Sequence, residues 1–284
     1  MISRYRTQRS RRTMLPFSRA RRAAQDLAIA QRKHLIHGMF EVDITLPRSL
    51  LEHYQQATGA SLSFTAFIVG CVARAVDEQK SVQGYRKGRR HLVVFDDVDV
   101  NVLIERAVGG RTQVVYHIVR AANTKSTLAI HSEIRQAQAK LLTRLEHTRF
   151  RIYALLPRFV RRFGIWMAAR NPDLWKIFGG TVAVAAVGMF AKGGGWGIPI
   201  TGNTLVVTVG GIDEKPRAID GHVVQRELLC LTVSVDHDVV DGAPAARFVS
   251  RLRELVESGY GLTQLVAEPI SEPTAEVAAV GAAG

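Results

Sequence analysis

The spacing of apolar and polar residues predicts a chain in which helices and β-strands alternate. Residues 40–44 alternate apolar and acidic side chains, which is typical of a half-buried strand. Ser63 can cap a helix over 64–78, whose apolar side chains would fall on one face. Three runs rich in β-branched residues are expected to be central strands: 182–187, 204–209 and 228–235.

The remaining elements complete a mixed pattern. Gly210 and Gly211 are interpreted as a turn, and the Ala-, Glu- and Pro-rich segment 262–284 as a loose tail. Helices mixed with many strands predict an α/β layer protein built on one sheet. The other predicted elements are helices at 17–36, 47–57, 126–147 and 243–257, and strands at 91–95, 98–104 and 114–119.

The basic charge of the chain is concentrated in two segments. The 284 residues contain 38 Lys and Arg against 25 Asp and Glu, a net charge of +13. Residues 1–37 hold ten basic groups and one acid, and residues 140–178 hold nine basic groups and two acids, so the remainder nets −3. This distribution argues against a protein that is basic throughout. It leaves two places where a polyanion or an anionic membrane could bind.

Targeting signals, membrane segments and cysteines bear on the cellular location that we expect for this protein. The arginine-rich start is not followed by an apolar segment, so no signal peptide is predicted. No window offers eighteen uncharged apolar residues, so no membrane-spanning helix is expected. Cys71 and Cys230 lie in apolar runs and are predicted to be buried. We expect a cytoplasmic location, with membrane association if the basic segments bind lipid, or the mitochondrial matrix if the basic start is a transit peptide.

The clearest chemical signal follows the last predicted strand. The strand runs into a turn that holds His237, then Asp241 and Gly242, and a helix opens there. A histidine at a strand end is held rigidly and suits a general base, although the spacing alone also fits a surface histidine in a polar turn. A metal site formed with Asp236 and Asp238 is disfavoured, because neighbours in a strand alternate faces.

This segment resembles the active-site motif of the dihydrolipoamide acyltransferase catalytic domain of 2-oxo acid dehydrogenase complexes. In that motif a histidine is followed by three residues, then Asp-Gly, then a helix that begins with small residues, as at His237, Asp241 and Gly242. Leu15-Pro16-Phe17-Ser18, followed by a basic helix, resembles the opening of that domain. The resemblance implies the fold of chloramphenicol acetyltransferase, a two-layer mixed sheet with helices packed on one face.

The resemblance also implies an activity that depends on coenzyme A. His237 would deprotonate a thiol or hydroxyl, which would attack an acyl thioester of coenzyme A. Asp241 would hold the turn, supported by Gly242 and by Arg21 of the amino-terminal segment. No lipoyl domain precedes the domain in this sequence, so the acceptor would be a small molecule or a lipoyl group on a separate protein. The resemblance also implies a homotrimer or a multiple of trimers. It implies no metal site.

Two departures from the family pattern bear on this activity. Ala185 occupies the position of a serine that donates a hydrogen bond to the oxyanion, and losing one such donor costs about 10²–10³ in rate. Thr181 or Thr201 could substitute for it. Asp238 stands where these acyltransferases usually have arginine, and acidic neighbours would favour the charged imidazolium of His237. A non-catalytic structural or regulatory relative is therefore an alternative.

A basic, aromatic insertion at 148–178 interrupts the resemblance. It is interpreted as a helical hairpin packed on its own domain or on a neighbouring subunit, or as an interfacial element on an anionic membrane, or as a lid over an apolar acyl chain. An adaptor that acts through this insertion is the further alternative, while nucleic acid is disfavoured because no recognised module is present. The predicted divisions are an arm at 1–14, a catalytic domain at 15–261 and the tail.

Overall fold

The computed structural model describes residues 33–88, 90–108, 111–139, 152, 155–186, 188 and 193–267. The predicted arm and Arg21 lie outside these ranges. The helix predicted at 17–36 lies almost wholly outside them too, and its last residues contradict it, because Leu35 and Ile36 open a strand. That strand is held by pairing with a distant segment, which local patterning cannot reveal.

The described elements follow the predicted order closely. The helix expected over 64–78 has those bounds, with the Ser63 side chain accepting from the Ala66 amide at 3.4 Å. The helices are α1 Thr45–Thr58, α2 Phe64–Glu78, α3 Thr127–Ala139, α4 Arg158–Arg170, α5 Pro172–Gly179, α6 Gly242–Glu257 and α7 Thr263–Ala267. The strands are β1 Leu35–Asp43, β2 Tyr85–Lys87, β3 His91–Val93, β4 Val100–Val108, β5 Arg111–Val119, β6 Val182–Ala186, β7 Leu205–Ile219 and β8 His222–Asp236.

Six of these strands form one mixed sheet in the order β1-β8-β7-β6-β4-β5. The short β6 runs parallel to both β4 and β7, and the other neighbours are antiparallel. The three β-branched runs predicted to be central are β6 and the inner parts of β7 and β8. At the end of the sheet where β8 finishes, β6 and β7 begin, so residues from distant segments meet there.

The hydrophobic core lies between the helices and one face of the sheet. Helix α2 is central, and Phe67 and Ile68 are fully buried against α3, α6 and the strands. Cys71 and Cys230 are both buried and free, as predicted. Burial raises the pKa of the Cys71 thiol, so it behaves as a small apolar side chain. The prediction of helices packed on one face of a mixed sheet is confirmed.

A glycine-rich segment lies against strands β7 and β8. The Gly211 amide donates to the Gly195 carbonyl at 2.9 Å, and the Gly195 amide lies 3.3 Å from the Cys230 sulfur. The interpretation of Gly210 and Gly211 as a turn is wrong, because both lie within β7, at a register shift. A Cβ atom on Gly210 would lie 2.1 Å from the Gly195 carbonyl oxygen. These glycines therefore permit close backbone packing.

The carboxyl end of the domain extends slightly beyond the predicted boundary at 261. Leu262 is buried, and the short helix α7 follows it, so the start of the predicted tail is ordered. Residues 268–284 lie outside the described ranges. Within the part of the chain that the structure describes, no helix is both long and apolar enough to cross a bilayer.

Candidate functional site

His237 lies in the turn that joins β8 to α6, at the end of the sheet. Its side chain is exposed, and its backbone amide donates to the His34 carbonyl at 2.8 Å. The amides of Val239 and Val240 both donate to the Asp236 carbonyl at 3.0 Å, which closes the turn. The predicted sequence of strand, histidine turn and helix is therefore what the chain forms.

Asp241 and Gly242 stand at the start of α6. Asp241 is the residue that precedes the helix, in an extended conformation, and its carbonyl accepts from the Ala245 amide at 3.1 Å. Its exposed side chain makes no capping hydrogen bond within the described part of the chain. The supporting role of Asp241, and its pairing with Arg21, stay predictions.

An ion pair between the buried Asp236 and the half-buried Lys33 supports the histidine turn. The Asp236 carboxylate accepts from Lys33 Nζ at 2.7 Å, and its other oxygen accepts from the Asp238 amide at 3.3 Å. The Lys33 ammonium also lies 5.7 Å from the centre of the Tyr85 ring. Neither Lys33 nor Tyr85 was singled out from the sequence, because a contact between residues 203 positions apart leaves no local signal. Together they fix the strand end that carries His237.

Tyr85 extends this support toward β6. Its hydroxyl donates to the Thr181 carbonyl at 2.7 Å and accepts from Asn203 Nδ2 at 3.1 Å. Burial raises the pKa of Tyr85, so its hydroxyl stays neutral and keeps its donor hydrogen. The Asn203 amide also donates to the Gly179 carbonyl at 2.9 Å. One polar network therefore joins the starts of β6 and β7 to the end of β8.

Asp238 forms a contact away from His237. Its carboxylate lies 3.0 Å from the Nδ1 atom of His34, and both side chains are exposed. No group of three or more metal-ligating side chains occurs among the residues that the structure describes, which includes Asp236, His237 and Asp238.

Replacing Lys33 by Met is expected to lower the free energy of unfolding by about 3–5 kcal/mol, because it leaves the Asp236 carboxylate buried and unpaired. Urea denaturation followed by circular dichroism measures this change. The same substitution at Lys87, which meets Asp173 at 3.7 Å with both side chains exposed, is the matched control and should change stability by less than about 1 kcal/mol. Equal effects at the two positions would contradict the prediction.

Ala185 lies in β6, half-buried, on the sheet face opposite the core. The two threonines considered as substitute donors differ in how their hydroxyls are engaged. The Thr181 hydroxyl accepts from the Asp99 amide at 3.0 Å and donates to the Asp99 carbonyl at 3.3 Å, so its hydrogen is engaged. The Thr201 hydroxyl accepts from the Asn203 amide at 2.9 Å, and accepting this bond leaves its own hydrogen able to donate. The register partner of Ala185 is Thr208, whose buried hydroxyl has no hydrogen-bond partner in the described structure.

Within one copy of the chain, Ala185 is far from His237. Ala185 is level with Thr208 of β7, which is level with Thr232 of β8. His237 lies five residues beyond Thr232. With strands about 4.8 Å apart and a rise of about 3.3 Å per residue, the two positions are separated by roughly 19 Å. The structure therefore does not bring these two predicted site residues together in a single copy.

An apolar groove opens beside the histidine turn, between β1 and the first turns of α6. It has a volume of about 410 Å³. Its walls include Ile36, Gly38, Val235, Gly242 and Val249. Because Gly242 adds no side chain, the groove is open at the point where the helix begins.

The segment that carries the histidine turn is similar to a known family of acyltransferase domains. Residues 170–263 match the family model described as 2-oxoacid dehydrogenases acyltransferase (catalytic domain). The chain is 26% identical over 225 residues to the dihydrolipoyllysine-residue succinyltransferase component of the 2-oxoglutarate dehydrogenase complex of Saccharomyces cerevisiae. That alignment covers 76% of this chain and 41% of the yeast protein. The resemblance predicted from the sequence is confirmed.

Solved structures show the same fold. The cubic core of the pyruvate dehydrogenase multienzyme complex matches with a TM-score of 0.66 and 18% identity, over 90% of this chain and 96% of that one. The dihydrolipoamide acetyltransferase of Azotobacter vinelandii matches with a TM-score of 0.65, at the same identity and coverage. That enzyme was studied for the role of a serine, a histidine and an asparagine in its catalytic mechanism. The chain spans about half the length of the curated relatives it matches.

Proposed function

We propose that this protein transfers an acyl group from a thioester of coenzyme A to a thiol or hydroxyl acceptor, with His237 as the general base. The observation that carries the proposal is the exposed histidine turn at the end of β8, inside the segment that matches the acyltransferase family model. Purified protein incubated with acetyl-CoA and dihydrolipoamide tests it, with release of free coenzyme A thiol as the readout. No release above the uncatalysed rate with acetyl, succinyl or branched acyl groups would count against it.

Residue spacing supports the assignment of the site. In the Azotobacter enzyme, the serine precedes the histidine by the same number of residues that separates Ala185 from His237. The asparagine follows that histidine by the same number that separates Asp241 from His237. This agreement supports placing Ala185 at the position of the oxyanion donor. It also supports Asp241 as the residue that accompanies the base.

In the proposed reaction, His237 acts first as a general base and then as a general acid. The His237 imidazole accepts the proton of the acceptor thiol, and the sulfur attacks the carbonyl carbon of the thioester. The tetrahedral intermediate collapses, the bond to the coenzyme A sulfur breaks, and the imidazolium returns its proton to that sulfur. General base catalysis of this kind contributes typically 10²–10⁴-fold. The exposed position of His237 leaves room for both substrates.

We infer that the active site forms between copies of the chain. If the Ala185 position and His237 act on one substrate, the separation of roughly 19 Å requires that a second copy supply one of them. This supports the homotrimer that the family resemblance implies. Diluting the protein below its dissociation constant should then abolish transfer while the circular dichroism spectrum stays unchanged. Analytical ultracentrifugation measures the assembly, and full activity in a monomer would refute the inference.

A non-catalytic relative is the second candidate function. It is favoured by Ala185, which has no donor, and by Thr181, whose hydroxyl already donates to the Asp99 carbonyl at 3.3 Å. The acceptor, whether a small molecule or a lipoyl group on a separate protein, is part of the proposal, as is a cytoplasmic location. The thioester assay with both acceptor types distinguishes the two functions.

A further inference from the structure

Helices α4 and α5, together called the helix pair, expose a large apolar surface. Phe159 is 73% exposed, Phe178 is 71% exposed and Phe163 is 59% exposed. Phe159 and Phe163 are four residues apart on α4, so their rings lie on the same side of that helix. Large exposed apolar patches on soluble proteins often mark surfaces that bind a partner or a membrane. Further exposed apolar side chains on the pair are Trp166, Met167, Leu174 and Ile177.

Helix α5 is held against the body of the domain, and α4 packs against α5. The Arg120 guanidinium donates to the carbonyls of Lys176 and Ile177 at 2.8 and 2.6 Å, and pairs with the buried Asp99 at 2.8 Å. Trp175 is buried beneath α5. Anchoring of α5 at these points favours a fixed platform over a lid that opens and closes. The exposed rings are presented outward by this platform.

The positive charge of residues 140–178 indicates what kind of surface the helix pair binds. Residues 140–178 hold nine basic groups and two acids, and the acid on the helix pair, Asp173, meets Lys87 at 3.7 Å. The Arg170 guanidinium lies 3.7 Å from the centre of the Trp166 ring, so cation and aromatic face the same side. Contact between two copies of this surface would bring like charges together. An anionic surface with an apolar interior complements both the basic side chains and the exposed apolar rings.

We propose that the helix pair binds the surface of an anionic lipid bilayer. The exposed rings enter the boundary between headgroups and acyl chains, and Arg170, which lies over the Trp166 ring, meets lipid phosphates. Aromatic and apolar residues combined with arginine are the composition of helices that lie in the membrane interface. His237 lies on the loop between β8 and α6 and not on the helix pair, so the proposal does not rest on acyl transfer.

Flotation of the full chain with vesicles tests the proposal. Vesicles of phosphatidylcholine and phosphatidylglycerol at 3:1 should carry the protein, pure phosphatidylcholine vesicles should carry much less, and added salt should weaken the binding. The double variant Phe159→Ser, Phe163→Ser should lose at least tenfold in partitioning for each ring removed. Both side chains are exposed, so thermal unfolding should be unchanged.

The matched control is the double variant Tyr116→Ser, Val223→Ser. These two side chains are 67% and 77% exposed but lie outside the helix pair, and their loss should leave partitioning unchanged. The amino-terminal residues are retained in every variant, so the comparison isolates the helix pair. Equal flotation by the Phe variant and the wild type overturns the proposal. A second contradicting outcome is that the Phe variant forms a smaller assembly in light scattering but still binds vesicles. The exposed rings would then mediate contacts between copies of the chain and not lipid binding.

Discussion

Replacing His237 by Ala should reduce the rate of acyl transfer by about 10²–10⁴-fold, because the acceptor thiol loses its general base. The side chain is exposed, and its backbone amide, which donates to the His34 carbonyl at 2.8 Å, is retained by alanine. The fold and the free energy of unfolding should therefore stay unchanged. Release of coenzyme A thiol in the presence of dihydrolipoamide measures the rate.

His222→Ala is the matched control for this variant. His222 is an exposed histidine at the opposite end of the same strand, β8, so its removal alters the same element without reaching the turn. Its rate should equal that of the wild type. Equal rates for wild type and His237→Ala would remove the acyltransferase proposal and favour the non-catalytic relative. A loss confined to His237→Ala would favour the enzyme.

The elements that could be predicted from sequence are those whose signals are local. Ser63 and the apolar face that follows it define α2, and the helix has the predicted bounds. The β-branched runs of β6, β7 and β8 indicate central strands because such side chains pack well on a pleated, buried surface. The histidine turn was equally readable, since strand, turn and helix are contiguous in the chain. The insertion, too, forms two helices, separated at Asn171 and Pro172.

The features that were missed depend on contacts between distant segments. Strand β1 begins at Leu35 because it pairs with β8, residue for residue up to Asp236, and nothing in the local pattern around Leu35 indicates this. The pairing of Lys33 with Asp236 has the same cause. Gly210 and Gly211 were read as a turn, whereas they lie in a strand against which another backbone packs closely. Glycine has both uses, and the sequence alone does not distinguish them.

The separation of Ala185 from His237 changes how the site must be tested. Register places Ala185 beside Thr208, in the middle of the sheet, while His237 stands at its end. Both positions can therefore act on one substrate only if they come from different copies of the assembled protein. Variants at Ala185 should be assayed at concentrations where the oligomer is intact, with its size measured in parallel.

Replacing Ala185 by Ser should raise the rate of acyl transfer by about 10²-fold, because it restores a hydrogen-bond donor at the oxyanion position, and such a donor is worth about 10²–10³-fold. Ala183→Ser is the matched control, since Ala183 is half-buried on the same face of β6, two residues earlier. Its rate should not change. If the base is present and only the donor is missing, the gain must also vanish in the double variant Ala185→Ser, His237→Ala. An unchanged or lower rate for a folded, assembled Ala185→Ser protein would show that this position does not serve the oxyanion.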